Sequence, residues 1–393
     1  MHVYTVFLIF LILLVLLPDY YLYRRFMKHW VTKSTSILHW VISAYFIIVS
    51  LTILTNINYV FSPETNFRLI MFVAVLGLVY IPKLAFCTCD LIFFLTKKRW
   101  RKIQNTGYVL AAVCALTILH GIFFTRFNFE KGVYNVPMKN LPSAFDGFKI
   151  AQISDAHLGT FAFSQEKLLP LMDSINAQNP DLIVFTGDMV NTFATECNNW
   201  SHVFQRLNPD IPKLAILGNH DYSTYFQDWE SEDLMEMNSM AIRQKIRDLG
   251  FKLLLDESVV LHRGSDSIVI IGTENWGKKE ETNFCKIEKA MKGTEGFACK
   301  IMLSHDPTFW KDSICDARDI DLTLSGHTHA AQMGIKIGNW EWSPAEYGFE
   351  QYDGQYERNG KYIIVSRGIG CVAMPVRLGL NPQYSLITLQ KKQ

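Results

Sequence analysis

Side chains capable of metal binding and acid–base chemistry follow five apolar segments in the second half of this chain. Carboxylate, amide and imidazole groups are ligands that first-row divalent cations accept. Seven such groups converging on one place would suit a pair of cations. The five motifs are Ser154-Asp155-Ala156-His157, Thr186-Gly187-Asp188, Gly218-Asn219-His220-Asp221, Ser304-His305-Asp306-Pro307 and Ser325-Gly326-His327-Thr328-His329.

Each motif comes directly after a short apolar run that is typical of a β-strand. In an α/β sheet, side chains beyond the carboxyl ends of strands reach one edge, where such sheets place their sites. The sequence therefore predicts that the five motifs meet at one edge. The predicted strands cover residues 148–153, 182–185, 214–217, 300–303 and 322–324.

Each motif taken alone has a simpler explanation. A Gly-Asp or Asn-His pair usually marks a turn, and His305 before Asp306-Pro307 could begin a helix, since proline favours the first helical turn. His202 and His262 lie outside the motifs and are interpreted as surface or packing residues. Five motifs in order favour a metal site over turns alone. A protein that binds metal without turnover remains an alternative.

The order and spacing of the motifs resemble those of the calcineurin-like metallophosphoesterase superfamily, which reads D-x-H, G-D, G-N-H-[DE], H and G-H-x-H. The resemblance covers roughly residues 148–389 and includes every motif. It implies an α/β (α+β) four-layer sandwich of two mixed β-sheets flanked by helices. It also implies a first metal site of Asp155, His157, Asp188 and His329, and a second of Asp188, Asn219, His305 and His327, with the Asp188 carboxylate bridging.

The implied reaction explains these residue types. Two cations about 3.5–4 Å apart can hold both the attacking and the leaving oxygen of an in-line phosphoryl displacement. Water held between them loses its proton near neutral pH, which gives a metal-bound hydroxide nucleophile. By the same resemblance His220 protonates the leaving oxygen or stabilises the transition state, and Asp221 is expected to orient the His220 ring. The ligand set admits Mn, Fe or Zn.

Departures inside the motifs narrow the branch of the superfamily. Protein Ser/Thr phosphatases read G-D-x-x-D-R-G and G-N-H-E. This chain has Asn191 in place of the second Asp of the former pattern and Asp221 in place of the Glu of the latter. Purple acid phosphatases carry a tyrosine where Asn191 stands. Residues 330–332 and 366–370 resemble a bacterial membrane-anchored group of phosphodiesterases that is similar to UDP-diacylglucosamine diphosphatases. Some of those relatives cleave the diphosphate of a nucleotide-linked acyl sugar in lipid A synthesis.

The first third of the chain is predicted to be an all-α region of four transmembrane helices. Four apolar runs, residues 3–17, 37–54, 69–95 and 109–124, approach the length needed to cross a hydrocarbon core of roughly 30 Å. A signal peptide is the alternative for the first run, but no basic residue precedes it and no small-x-small cleavage site follows. We therefore expect a multi-pass protein of the cell membrane that contacts the lipid bilayer.

Basic residues are concentrated in two of the predicted loops. One loop carries Arg24, Arg25, Lys28 and Lys33, and the other carries Lys97, Lys98, Arg99, Arg101 and Lys102, whereas residues 57–68 carry only Glu64 and Arg68. The positive-inside rule places both basic loops in the cytoplasm and the catalytic domain on the extracytoplasmic side. Lys83 and Asp90, near the third run, could pair with each other or line the bundle.

The predicted domains are a transmembrane region at 1–125, a linker with a lead-in strand at 126–147 and a catalytic domain at 148–393. The net charge of +1 and the use of basic residues in the two loops leave no basic stripe for nucleic acid. Five scattered cysteines in the catalytic domain form no metal motif, and their odd number mildly disfavours an oxidising compartment.

Several further elements are predicted in the catalytic domain: helices at 165–178 and 241–249, a run of short strands at 251–271, and strands at 363–365 and 385–389 that close the second sheet. Residues 222–240 combine aromatic, Met and acidic residues, and they form either a lid over a lipid-like substrate or an amphipathic helix on the surface. The aromatic stretch 340–356 is a second candidate cap.

Two function classes follow from these observations. The first is a membrane-anchored dinuclear-metal hydrolase of a phosphodiester or diphosphate bond, acting on a phosphorylated lipid or lipid-linked substrate, with a phosphomonoesterase of the envelope as the alternative. The second is a catalytically inactive metal-binding membrane scaffold or sensor. The intact Asp188, Asn219 and His220 favour the enzyme.

Overall fold

A computed structural model describes residues 2–28, 31–55, 63–97, 101–161, 164–226, 229–338 and 340–392. The chain separates after Ile122 into two compact units. The first is helical and the second contains the five motifs. Three predicted segments lie partly outside the described residues: Lys98 and Arg99 of the second basic loop, residues 57–62 of the loop at 57–68, and residues 227 and 228 of the predicted lid.

The described part of the first unit consists of long helices, as the apolar runs predicted. They are α1 His2–Leu22, continued by a π-helical turn at Tyr23–Met27, α2 Lys33–Thr55, α3 Pro63–Leu95 and α4 Arg101–Phe123. Three stretches, Lys33–Ile53, Arg68–Leu95 and Arg101–Phe127, are long and apolar enough to cross a membrane. The first run forms a helix of 21 residues, and its membrane span remains a prediction.

Two buried carboxylates hold the helices of this unit together. Asp19, fully buried on α1, accepts hydrogen bonds from Ser43 Oγ at 2.6 Å and Tyr80 OH at 2.8 Å, and pairs with Lys83 Nζ at 2.8 Å. Of the two predicted alternatives for Lys83 and Asp90, pairing with each other is wrong, because Lys83 pairs with Asp19 and Asp90 pairs with Arg25.

Asp90 on α3 is the second buried carboxylate. It pairs with Arg25 Nε at 3.1 Å and accepts a hydrogen bond from Tyr21 OH at 2.6 Å. Gln104 Nε2 of α4 donates to it at 2.5 Å. The two carboxylates therefore link all four helices. Each is both paired and hydrogen-bonded, which a buried charge requires to be stable.

Asp19→Asn should destabilise the helical unit, because it leaves Lys83 without its counter-ion. Removing one partner of a buried pair costs about 3–5 kcal/mol, and the 25% exposure of the Lys83 side chain reduces that cost. Thermal unfolding of the full chain in detergent should show a lower midpoint. The double variant Asp19→Asn/Lys83→Met should recover part of the loss, and an unchanged midpoint for the single variant would contradict the role given to this pair.

The first sheet of the second unit has six strands: β1 Glu130–Met138, β2 Lys149–Ile153, β3 Leu182–Thr186, β4 Lys213–Ile216, β5 Lys252–Leu253 and β14 Gln383–Lys391. Their order across the sheet is β1-β14-β2-β3-β4-β5. β1 and β14 pair in parallel over nine residues, and β2, β3, β4 and β5 are parallel to one another. The prediction that residues 385–389 close the second sheet is wrong, because β14 pairs with β1 and β2.

The second sheet also has six strands: β6 Glu257–Arg263, β7 Asp266–Gly272, β8 Lys300–Leu303, β9 Leu322–Ser325, β12 Gly354–Arg358 and β13 Lys361–Val365. Their order across the sheet is β12-β13-β9-β8-β7-β6. β7, β8, β9 and β13 are parallel, and the antiparallel strands β6 and β12 form the two edges. A separate ribbon pairs β10 Ile335–Ile337 with β11 Trp340–Trp342.

The two sheets pack face to face and helices cover their outer faces, as predicted. One buried cluster joins the inner faces, with Ile150 and Leu182 of the first sheet and Ile301 and Leu322 of the second. The first sheet is covered by α5 Leu169–Asn176, α6 Ser201–Phe204 and α7 Glu232–Asp248, and the second by α8 Ile287–Met291 together with a π-helical segment at Trp310–Ile314. The predicted fold class is confirmed.

Helix α7 is longer than the predicted segment 241–249. Ser231 Oγ caps it by accepting a hydrogen bond from Leu234 N, and Glu232 and Asp233 occupy its first turn, where acidic residues stabilise a helix. The C-terminal part of the predicted lid is therefore surface helix, which was the alternative for that segment. Tyr222 ends a short 3-10 helix, Asn219–Tyr222, and residues 223–226 form a loop.

Candidate metal centre

The five motifs lie directly after β2, β3, β4, β8 and β9, strands that run in parallel within their sheets. A buried amide joins the two sheets at this edge: Gln152 Nε2 on β2 donates to Ser325 O at the end of β9, at 2.8 Å, and to Thr186 Oγ1 at 3.0 Å. All seven predicted ligands are therefore delivered to one place.

The first group of ligands comprises Asp155, His157, Asp188 and His329, whose ligand atoms all lie within 4.8 Å of one another. The Nε2 atoms of His157 and His329 are 3.0 Å apart, and His329 Nε2 is 3.4 Å from Asp155 Oδ1. All four residues are buried. Two imidazole nitrogens directed at each other and at carboxylates form a pocket suited to one cation.

The second group comprises Asp188, His305 and His327. Asn219 belongs to it as well, because its Oδ1 lies 3.1 Å from His305 Nε2 and 2.8 Å from His327 Nδ1. His305 Nδ1 is 2.8 Å from Thr186 O, which fixes this ring with Nε2 directed at the group. A backbone carbonyl commonly orients a metal-binding histidine in this way.

Asp188 is the residue common to both groups. Its Oδ2 lies 3.5 Å from His157 Nε2 and 3.1 Å from His305 Nε2, so one carboxylate oxygen faces both groups. Its Oδ1 accepts a hydrogen bond from His220 N at 2.9 Å. This position suits a carboxylate that bridges two cations.

The chemistry of this donor set fits two divalent cations. Among the described residues, Asp155 Oδ2 is buried without a hydrogen-bond partner. Buried polar atoms are normally satisfied, so such an atom calls for an explanation such as an ion. A cation held by these neutral imidazoles and carboxylates would satisfy the group.

Burial and the charges of neighbouring groups set the protonation of the candidate ligands when no cation is bound. Burial raises the pKa of Asp155 to about 7 and lowers the pKa of His157 to about 3. Burial alone would lower the pKa of His305, but Asp188 raises it to about 10. For Asp188, burial raises the pKa, yet His305 and His220 together hold it well below its usual value. Asp188 and His305 therefore form an ion pair that cation binding would replace.

The loops that carry the ligands have unusual backbone conformations. Asp155, His157, Asp188, His327 and His329 all have positive φ, between 43° and 77°. A non-glycine residue pays about 1–3 kcal/mol in such a region, and such strain clusters at functional sites. The surrounding packing must over-determine these loops, which holds the ligands in place before any ion arrives.

Close backbone packing around Asp188 explains the glycine of the third motif. A Cβ on Gly218 would lie 2.2 Å from Asp188 Oδ1 and 2.6 Å from Asp188 N. It would also lie 2.7 Å from His305 Cε1. Any side chain at position 218 must therefore displace both a carboxylate and an imidazole of the second group.

Gly218→Ala should lower the metal content of the protein, because the added methyl group displaces Asp188 and His305. After loading with Mn and desalting, elemental analysis should give fewer than half the ions per chain found in the parent. Gly296→Ala is the matched control, since its Cβ meets no atom within 4 Å. Equal metal content in the two variants would contradict the placement of the second group.

The first motif is braced by the segment 366–370 and by an arginine that sequence reasoning missed. Ile369 N donates to Ser154 O at 3.0 Å and Gly370 N to Asp155 O at 2.8 Å. Arg377, fully buried, donates to the carbonyls of Gly368 and Gly370. A lone arginine in a loop gives no signal in a single sequence, whereas the neighbouring Ser-Arg-Gly-Ile-Gly segment did stand out.

His220 lies beside both groups without belonging to either. Its Nδ1 is 2.7 Å from Asn191 O, and its ring meets the His157 ring edge-on at 4.8 Å. With Nδ1 on a carbonyl, the Nε2 of a neutral ring is the nitrogen that can accept a proton. A backbone carbonyl thus fixes the orientation of the His220 ring beside the two groups.

Asp221 does not orient the His220 ring, so that prediction is wrong. Its two carboxylate oxygens accept hydrogen bonds from the backbone N–H groups of Asp188, Met189, Val190 and Gly218, at 2.9–3.3 Å. The residue is fully buried. Asp221 therefore joins the loop of the second motif to that of the third, and it acts on the site through the backbone.

Tyr225 covers the centre, although the sequence indicated only an aromatic segment here. Its ring stacks on His220, with centroids 4.1 Å apart and planes 8° apart. Asn219 Nδ2 donates to Tyr225 OH at 2.6 Å, which leaves Asn219 Oδ1 directed at His305 and His327. One side chain therefore orients both the His220 ring and the Asn219 amide.

Tyr225→Phe and Tyr225→Leu separate the two contacts of this ring. Loss of the hydroxyl frees the Asn219 amide, so Tyr225→Phe should weaken retention of the more labile metal several-fold. Tyr225→Leu should also lower kcat, because His220 loses its stacking partner. Chelator titration and steady-state kinetics measure the two effects, and identical behaviour of both variants to the parent would rule out this role.

Comparisons with known proteins agree with the geometry. Residues 148–331 match the model of the calcineurin-like phosphoesterase family. The chain is 28% identical over 288 residues to an uncharacterised metallophosphoesterase of Bacillus subtilis, YkuE, covering 71% of this chain and 93% of the relative. The family match spans all five motifs.

Two further relatives have more specific descriptions. A transmembrane protein with a metallophosphoesterase domain from Danio rerio is 25% identical over 261 residues, covering 65% of this chain and 56% of the relative. The UDP-2,3-diacylglucosamine pyrophosphatase LpxG of Chlamydia trachomatis is 27% identical over 240 residues, covering 50% of this chain and 68% of the relative.

Proposed function

We propose that this chain, which carries a calcineurin-like metallophosphoesterase domain and is a metal-dependent hydrolase of phosphoric esters, cleaves the diphosphate or phosphodiester bond of a lipid or lipid-linked substrate at the membrane. The observation that carries the proposal is the pair of ligand groups sharing Asp188. A shared carboxylate suits two cations acting on one phosphoryl group.

The first cation would be held by Asp155, His157, Asp188 and His329, and the second by Asp188, Asn219, His305 and His327. Cations bound there supply Lewis acidity, activation of water and compensation of the charge that develops on the phosphoryl oxygens. Which metals bind depends on the supply of metal ions in the cell as much as on the ligands, so Mn, Fe and Zn are all candidates.

His220 provides the acid–base function in this proposal. The Asn191 carbonyl holds Nδ1, and Tyr225 restrains the ring plane. The opposite nitrogen, Nε2, can therefore give a proton to the departing oxygen without reorientation of the ring. Preorganisation of this kind reduces the cost of reaching the productive geometry.

Two observations support a lipid-linked substrate. Among the described residues, three stretches are long and apolar enough to cross a membrane, and one relative is named a UDP-2,3-diacylglucosamine pyrophosphatase. A membrane-spanning enzyme confines its site near the headgroups, where such substrates are concentrated. With the basic loops in the cytoplasm, a four-span topology would place the catalytic domain outside it.

The full chain in detergent, stripped of metal and reloaded with Mn, should hydrolyse bis-p-nitrophenyl phosphate faster than p-nitrophenyl phosphate. Asp188→Asn should abolish this activity and lower the metal content, because one change removes a ligand from both groups. His220→Ala should lower kcat by about 10²–10⁴-fold, which is the usual contribution of a general acid. The metal content of this variant should equal that of the parent.

The possible outcomes separate the alternatives. A preference for the monoester would replace this proposal with a phosphomonoesterase. Two bound metals and no turnover of either compound would favour a non-catalytic scaffold. Diester hydrolysis would justify a comparison of nucleotide-linked acyl sugars with their deacylated forms, and equal rates for both would remove the lipid part of the proposal.

A further inference from the structure

The ribbon of β10 and β11 stands apart from both sheets and follows the last motif closely. Ile335 is six residues beyond His329, and β10 is joined to the rest of the domain by Gly334 N donating to Leu378 O at 2.8 Å. Ser343, just after β11, donates from Oγ to Ala330 O. The ribbon is thus a projection of the loop that carries a candidate metal ligand.

The two faces of this ribbon have opposite character. Directly paired residues of an antiparallel ribbon share a face, and the pairs are Ile335 with Trp342 and Ile337 with Trp340. One face is therefore entirely apolar. The third pair, Lys336 with Glu341, lies on the other face.

The charged face is the one joined to the domain. Lys336 Nζ lies 2.6 Å from Glu341 Oε1, and Glu341 Oε2 lies 2.7 Å from the guanidinium of Arg367. The Arg367 side chain is only 3% exposed and also pairs with Asp353. This chain of ion pairs fixes the orientation of the ribbon, so its apolar face is held away from the domain.

The apolar face is exposed in the structure. Ile335 is 48% exposed, Ile337 68% and Trp340 56%. Tyr347, 80% exposed, adds to it through an edge-on contact with Trp342 at 6.4 Å. The charged side chains of the ribbon pair with each other and with Arg367, while its isoleucine and tryptophan side chains face solvent. Contiguous exposed apolar patches of this kind mark interaction sites.

We infer that this apolar face inserts into the interface of the lipid bilayer. The same chain has three stretches able to cross a membrane, so a bilayer is the one apolar partner that every copy of the protein would meet. Tryptophan and tyrosine are enriched at the membrane interface, where one end of the ring is dry and the other wet. The inference rests on the membrane attachment proposed above but not on the substrate.

The charge of the ribbon gives no preference for anionic lipid headgroups over neutral ones. Lys336 is neutralised by Glu341, so the ribbon offers little net charge to attract anionic lipid. Insertion would be driven by apolar burial, as in amphipathic interfacial segments. Because the ribbon grows from the loop of His327 and His329, insertion would bring the metal centre to the depth of the headgroups.

The test places an environment-sensitive fluorophore on Ile337→Cys of the full chain in phosphatidylcholine nanodiscs. All eight native cysteines are buried or partly buried, so an exposed added thiol reacts first, and labelling of the parent gives the background. Bromine on the lipid acyl chains should quench the probe at least twofold relative to unbrominated lipid. Glu295→Cys, an exposed position on another loop, should show no quenching.

A second variant tests the apolar face itself. With the probe on Ile335→Cys, the additional change Trp340→Glu should remove most of the quenching, whereas hydrolysis of soluble bis-p-nitrophenyl phosphate should stay within twofold of the parent. Neither residue belongs to the metal centre, so a large loss of activity would indicate misfolding.

Equal emission at position 337 in brominated and plain nanodiscs would overturn the inference. Disulfide cross-linking between two Ile337→Cys chains without quenching would also overturn it, and would assign the face to a second copy. Hydrolysis of the soluble diester by the parent protein is measured in the same nanodiscs. Quenching without hydrolysis would therefore contradict the proposed reaction and leave the inference of membrane insertion intact.

Discussion

The sharing of one carboxylate between two sets of ligands is the constraint on which the rest of the catalytic domain depends. Asp188 Oδ2 faces His157 on one side and His305 on the other, while Oδ1 receives the His220 amide. The ligands come from both sheets, so the sheets must pack with their strand ends in register. The buried amide of Gln152, which links the two sheets at that edge, serves this requirement.

Crowding buried carboxylates and imidazoles at one place works against folding unless an ion neutralises them, and the surrounding structure compensates in several ways. Positive φ at five ligand positions is maintained by backbone hydrogen bonds between neighbouring loops. Asp221 receives backbone N–H groups from two loops, and Arg377 binds the carbonyls of a third. These residues hold the geometry without contacting an ion, so their effect on chemistry is indirect.

The metal-ligand candidates and the fold class were predictable because their signals are local: an apolar strand followed at once by a polar side chain. The sheet that receives β14 was not, since strand pairing between residues 130–138 and 383–391 is set by tertiary packing. Asp221 and Tyr225 are neighbours of the motif in sequence, but their partners depend on the path of the loop. The attachment of β11 to the domain through Glu341 became clear only with Arg367 in place.

The pairing of β1 with β14 also sets an order of assembly. β14 lies between β1 and β2, so β2, the strand that precedes the Asp155 motif, has no neighbour on that side until residues 383–391 have folded against it. β1 and β14 are far apart in the chain, and contacts this distant in sequence form slowly. The first motif, which follows β2, would therefore reach its final place late in folding. Binding of cations by the candidate ligands would then depend on the ions of the compartment in which folding finishes.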